Sequence, residues 1–350
     1  MLNEMKYGAL SGKTRAMYGK LLKNEDYTSL MQKKSVGEVV SYLKDNTHYR
    51  SVLSETGEES VHRGRLENLL KHDLINDYSK LLKFANGHTK EFINLLYMKI
   101  EIENLKLLFR LFEAGHTDRI DGEDLRFFLS GRNRGNIQKL ALSRSFNEFL
   151  SGLEGSVYYD VLKPFAQDSN AKRLFDIEMA LDQLYLRNVQ NKYKKLLKGP
   201  NLAIMGEFAG LESDMFNIFW IYRSKAFYRI DHEVIGSYIL PPIYRLNKKT
   251  IEGLIKANSV EEYIRIMKGT FYGFLFEGRH ELLFEHNYSE FMYRVHKMRF
   301  RRHPFSISCV TSYLRMKEFE LSNIITIIEG IRYGLSEENI RKYLVGINIK

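Results

Sequence analysis

The chain is predicted to be all-α, and three observations predict it. Only five of its 350 residues are proline and none precedes Pro164, so long stretches keep an unbroken helical hydrogen-bond ladder available. Several charged segments carry apolar residues at helical spacing, the mark of an amphipathic helix. A helical phrase centred on asparagine is also written three times, around Asn104, Asn217 and Asn323. Each copy has an acid three residues earlier (Glu101, Asp214, Glu320), an aliphatic residue one later (Leu105, Ile218, Ile324) and another four later (Leu108, Ile221, Ile327). Steps of three and four share a helix face. Asparagine is a poor helix-interior residue, so its return in one register predicts a repeated structural unit.

In chain order, a first helix is expected over Tyr7 to Lys23. Within it, Gly8 to Thr14 imitates a phosphate-binding loop. It has three residues between its glycines where the motif needs four, Tyr7 stands in place of the first glycine, and too little chain precedes it for the strand such a loop follows. Nucleotide binding is therefore not expected. Ser35 with Glu38 forms a capping-box signature, which returns as Ser145 with Glu148 and Ser259 with Glu262. Long amphipathic helices follow, from Arg65 to Phe84, Lys172 to Leu197 and Arg279 to Phe300, and each places a glutamate three before a bulky residue: Glu67 and Leu70, Glu178 and Leu181, Glu285 and Tyr288. After each Asn helix comes a connecting helix, announced by Asp121-Gly122-Glu123, Asp231-His232-Glu233 or Ser336-Glu337-Glu338.

These four columns recur at spacings from 336 − 231 = 105 to 259 − 145 = 114 residues. That exceeds the period of a solenoid repeat, so the expected unit is a small helical bundle copied in tandem. The chain divides into helical units 1–118, 119–229 and 230–350. Three similar rigid steps predict a pseudo-threefold ring or funnel, with a linear string as the alternative.

Lysine and arginine outnumber aspartate and glutamate by 53 − 43 = 10, which suits nucleic acid, anionic headgroups or an acidic protein as partner. A single cysteine, Cys309, excludes an internal disulfide, no secretory segment opens the chain, and no apolar run spans a bilayer, so the cytoplasm is expected. No cofactor or metal is expected: His280-Glu281-Leu282-Leu283-Phe284 lacks the second histidine of a zinc helix. Glu101 and Glu103 point in different directions on a helix, so they do not pair for acid–base work. The three asparagines read as ligand amides or as register pins bonding a neighbouring helix or loop, and recurrence favours the pins. Phe216, Phe219, Trp220 and Tyr222 read as packing. Two basic clusters, Lys192, Lys194, Lys195 and Lys198, then Arg299, Arg301 and Arg302, close equivalent amphipathic helices. They answer the helix dipole, or face phosphates, headgroups or an acidic partner.

With these columns assembled, the sequence resembles the C-type rotor component of archaeal and bacterial V/A-type rotary ATPases, the counterpart of the eukaryotic d-type component. The resemblance is carried by Tyr7 through Arg15-Ala16-Met17 to Leu21-Leu22, by Glu320 to Asn323, by Glu329-Gly330-Ile331-Arg332-Tyr333-Gly334, and by Ser336 to Leu344. It runs essentially the whole length. Lys13 stands where the family often has a second arginine near Arg15, and Pro241-Pro242 replaces a common Pro-Gly turn. The resemblance implies a non-catalytic rotor subunit on the cytoplasmic face of the membrane. Such a subunit is a socket between central-axle subunits of D and F type and the proteolipid ring, serving ATP-driven ion transport or ATP synthesis. An all-α nucleic-acid-binding or scaffold protein using the basic helix ends is the alternative.

Overall fold

The computed structural model describes residues 2–54, 63–115, 140, 142–167, 173–228, 230–241, 244–277 and 281–347. All the regular secondary structure among the described residues is helical, with no strand. Helix α1 (Leu2–Tyr18) leads to α2 (Asn24–Met31), α3 (Val36–Asn46), the single turn α4 (Arg50–Leu53) and two long helices, α5 (Arg63–Leu82) and α6 (Gly87–Glu113). Next come α7 (Phe146–Ser151), α8 (Val157–Leu162) with a 3-10 turn (Lys163–Gln167), α9 (Arg173–Leu196) and α10 (Gly199–Arg223), which runs into a π-helical turn (Ser224–Tyr228). The chain continues through α11 (His232–Ser237), α12 (Lys248–Lys256), α13 (Val260–Lys268), a 3-10 turn (Gly273–Phe276), α14 (Glu281–Arg302), α15 (Ile307–Arg332) and α16 (Glu337–Arg341).

The first helix ends at Tyr18 rather than near Lys23. The reason lies at the far end of the chain: Glu320 accepts the Leu22 amide at 2.5 Å and draws the backbone out of helical register. The phosphate-loop look-alike is plain helix, with Ser11 and Thr14 buried and the Thr14 hydroxyl bonded back to Leu10 O at 2.7 Å. Its amides are committed to the helical ladder.

Ser35, Ser145 and Ser259 each cap a helix, accepting from Glu38, Glu148 and Glu262 N at 3.2 Å. The glutamates differ from a capping box in one respect. Their carboxylates accept from Lys34, Arg144 and Asn258 N, one residue before the cap, so each fastens the incoming chain as well as the helix. Of the connecting helices, α16 is capped by Ser336, which accepts from Asn339 N at 3.4 Å, whereas Asp231 makes no side-chain cap bond at α11. The first connector, Asp121 to Leu125 and on to Phe128-Leu129, lies outside the described residues.

Each long amphipathic helix folds back on the Asn helix after it through a short corner, around residues 83–86, 197–198 and 303–306. The largest core joins the two ends of the chain, with Tyr7, Leu10 and Met17 of α1 in one cluster with Ile307, Val310 and Leu314 of α15. Each such buried side chain contributes roughly 1.5–3 kcal/mol. Helix α1 also reaches residues in or beside all three corners. Lys13 lies 5.9 Å from the Phe84 ring, the Tyr7 hydroxyl 3.4 Å from Asn201 Nδ2, and Ser11 Oγ 2.5 Å from Pro304 O. Residues 7 to 13 span only about 9 Å of helix. The three corners therefore gather at one end of the molecule, with α1 laid across them. A close approach at Gly330 brings α16 onto α15: a Cβ there would stand 2.4 Å from Ile340 Cγ1.

Candidate functional site

The Asn helices α6, α10 and α15 carry the recurring polar residues. Asn217 donates to Leu240 O at 2.9 Å and accepts from Leu240 N at 2.8 Å. Asn323 repeats the arrangement on Val345, with the same two distances. One buried amide thus satisfies both backbone groups of a residue that has no ladder partner. Asn104 is half-buried, and the chain following its helix lies outside the described residues.

The acids make a second repeated joint. Glu101 accepts from the Tyr158 hydroxyl at 2.7 Å, Asp214 from Tyr272 at 2.9 Å and Glu320 from Tyr49 at 2.8 Å. Burial, and then the adjacent carboxylate, pushes all three phenols up, so each keeps its proton to donate. Asp214 also accepts Tyr244, Arg245 and Leu246 N at 2.8, 2.6 and 3.3 Å, just before α12. Glu320 accepts Leu22 N just before α2.

The partners follow in cyclic order. The acid of α6 reaches the tyrosine 57 residues ahead, the acid of α10 the one 58 ahead, and the acid of α15 returns 271 residues to Tyr49. These tyrosines were missed in the sequence although the signal was present. They stand 14, 13 and 13 residues after Ser35, Ser145 and Ser259, a fifth column in register with the others. The third column gains a partner in the same order. Arg110 of α6 pairs with Glu178 at 2.5 Å, and Arg223 of α10 pairs with Glu285. In α15 the matching residue is Glu329, bonded to Arg332, while Glu67 pairs with Lys71.

The returning joint, between α15 and the α4–α5 region, is chemically different. Lys317, fully buried, places Nζ 2.9 Å from Asp73, 2.8 Å from Glu320, 2.8 Å from the Tyr49 hydroxyl and 2.5 Å from His48 Nε2. Burial pushes its pKa down, but Glu320 and Asp73 outweigh that and hold it above the usual lysine value. Counting six residues before each asparagine, 104 − 6 = 98 and 217 − 6 = 211, the matching side chains are Met98 and Leu211.

Five residues before each asparagine stand Lys99, Glu212 and Glu318, where the Asn helices draw together. Lys99 bonds Glu318 at 2.7 Å and Arg315 bonds it at 2.5 Å. Burial raises the Glu318 carboxyl, yet Lys99 and Arg315 bring it down to about 2. Lys99 lines three hollows: a small one of about 40 Å³ toward the corners, and clefts of about 340 and 220 Å³ toward the helix C-termini.

Lys192, Lys194, Lys195, Lys198, Arg301 and Arg302 are exposed at the corner end, and among the described residues none is ion-paired. Arg299 differs: it is half-buried and bound to Glu207 at 2.5 Å, so its charge is spent inside the protein. Among the described residues no cluster of three or more histidine, cysteine or acidic side chains is placed to hold a metal ion, and no helix is long and apolar enough to cross a membrane. What recurs is structural: charge and amide groups that hold helices to one another.

The family model described as ATP synthase (C/AC39) subunit matches residues 10–343. Similar proteins, named as the C-type component of an A-type ATP synthase, come from Archaeoglobus fulgidus, 24% identical over 98% of this chain and 97% of that protein, and from Pyrococcus abyssi, 23% identical over 96% and 89%. Another of the same name, from Methanosphaera stadtmanae, is 22% identical over 92% of this chain and 83% of its own length. A family match that covers the chain from residue 10 to residue 343, all three Asn helices included, leaves one conclusion: the chain belongs to the ATP synthase (C/AC39) subunit family.

Proposed function

We propose that this chain is a non-catalytic socket in the rotor of an A-type ATP synthase, built of three helical units, 1–118, 119–229 and 230–350, closed in a pseudo-threefold funnel. The observation that carries the proposal is the cyclic order of the acid–tyrosine bonds, from Glu101 to Tyr158, Asp214 to Tyr272 and Glu320 to Tyr49. Three like surfaces that each grip the next, the last gripping the first, suit a collar around an axis. Torque transmission asks for packed walls that deform little, not for reactive groups. The clefts on the C-terminal side of Lys99 open where an axle foot of D and F type subunits would enter. The corner end, with its unpaired cations, then faces the proteolipid ring and the membrane, making the protein peripheral on the cytoplasmic face.

The test is reconstitution. The purified chain should co-assemble with the axle subunits and the proteolipid ring, and a complex lacking it should hydrolyse ATP without moving ions. Full coupling in its absence refutes the proposal.

A further inference from the structure

The corner end combines two features that sequence order separates. Its cations are concentrated: α9 from Gln183 with the corner after it to Lys198, and α14 from Phe291 to Arg302, contain five basic residues each, counting lysine and arginine, and no acidic one. The first halves of the same helices hold Asp176, Glu178 and Asp182, and Glu281, Glu285 and Glu290. Charge is thus polarised along both helices toward the corners. Among these cations stand exposed apolar side chains. Phe84 in the first corner is 46% exposed, Phe305 in the third 42%, and Met5, on the helix lying across all three corners, 87%. Apolar residues ringed by lysine and arginine are the composition of a surface that sits in a headgroup layer, rings at the acyl boundary and cations on phosphates. An acidic protein surface matches the cations but not the bare phenylalanines.

We propose that the corner end binds the anionic phospholipid headgroup layer directly, through Lys194, Lys195, Arg301 and Arg302, with Phe84 and Phe305 dipping beneath the phosphates. This deepens the reading above, on which it rests only for taking this end as the membrane-facing one. Helix α1 contributes by holding the corners level: Asn201 near the second corner accepts from Ile307 N beyond the third at 3.0 Å, and Tyr7 and Ser11 fasten both.

The experiment is co-sedimentation of the purified full chain with phosphatidylcholine vesicles, with and without phosphatidylglycerol. Binding is expected to the anionic vesicles alone, weakening as salt is raised past about physiological strength. Replacing Lys194, Lys195, Arg301 and Arg302 together by Gln should lower it by about 100-fold or more. Replacing Phe84 and Phe305 by Ser should lower it roughly tenfold, by an amount that salt does not alter. All six positions are exposed, and an unchanged circular dichroism melt verifies folding. Absence of binding to anionic vesicles, or equal binding to neutral ones, overturns the proposal. So does a four-Gln variant that loses ring assembly when the parent never binds lipid, which would assign the cations to a protein partner. Failure to assemble with axle and ring counts against the rotor reading alone, since the vesicles contain neither.

Discussion

Replacing Lys317 by Met tests the closing joint most sharply. The side chain is fully buried with Nζ within 2.9 Å of Asp73 and within 2.8 Å of Glu320 and the Tyr49 hydroxyl. Glu320 would keep the Tyr49 hydroxyl and the Leu22 amide, the same kinds of donor that hold Asp214. Asp73 would keep only His48, at 3.2 Å. Breaking a buried pair from one side leaves a carboxylate without its cation, at a cost of about 3–5 kcal/mol. The repeats indicate the remedy. Six residues after each third-column glutamate, 67 + 6 = 73, 178 + 6 = 184 and 285 + 6 = 291, stand Asp73, Leu184 and Phe291. The double variant Lys317→Met, Asp73→Leu therefore rebuilds the apolar version of the joint and should recover to within about 1–2 kcal/mol of the parent, or exceed it. Urea unfolding followed by far-ultraviolet circular dichroism reads both, with midpoints compared at equal slope. A single variant costing less than about 1 kcal/mol, or a double variant no more stable than the single, refutes the argument.

Asn217→Ala and Asn323→Ala should each cost about 2–4 kcal/mol, because both backbone groups of Leu240 or Val345 lose their partner. Hydrogen exchange should accelerate at the Leu240 or Val345 amide of the altered protein, and an unchanged rate there would count against the clamp. His296, buried beside Phe208, has its pKa pushed down to about 3 by burial and then by Arg315. The unfolded chain binds this proton below about 6.5 and the folded one does not, so stability is complete above about 6.5 and falls by about 1.4 kcal/mol per pH unit below it. His296→Gln should remove about 2 kcal/mol of the loss between about pH 6.5 and pH 5, above the window in which Glu318 titrates. An identical pH slope in the variant would refute it.

Much of this was legible because helical registers are short-range. The serine caps, the amphipathic stretches to within about two residues and the three Asn helices follow from periodicity and cap chemistry alone. What those signals do not contain is which element a buried side chain faces. Asn217 gave its register but not Leu240, and Glu67 gave a column but not the arginine that meets its counterparts Glu178 and Glu285. The tyrosine column was overlooked because its use is relational: Tyr158 looks like ordinary packing until Glu101 is seen opposite. Arg299 misled for a similar reason, since its sequence neighbours are cations and the acid that holds it, Glu207, is 92 residues away. The end of α1 was misplaced because Leu22 is pulled by a carboxylate 298 residues on.

The charged cluster at the closing joint is best explained by what it forbids. On the three-unit reading proposed above, like surfaces could close in the wrong order, or onto a second copy of the chain, and the acid–tyrosine bond alone does not discriminate, because each of the three acids has one. Two of the joints are fixed by chain continuity, so apolar Met98 and Leu211 suffice there. The third joins surfaces with no peptide link between them. Lys317 set against the unit bearing Leu184 or the one bearing Phe291 would be buried with no acid at the place of Asp73, a cost of several kcal/mol. Set against Asp73 its three N–H groups face Asp73, Glu320 and the Tyr49 hydroxyl. The cluster therefore adds little to the stability of the correct pairing and much to the instability of the others, which is how a buried polar group specifies register in a coiled coil. On this argument the Lys317→Met, Asp73→Leu variant should stay folded yet yield dimers and larger species in sedimentation velocity at high protein concentration, where the parent stays monomeric. A variant that is both stable and strictly monomeric would show that closure is specified elsewhere.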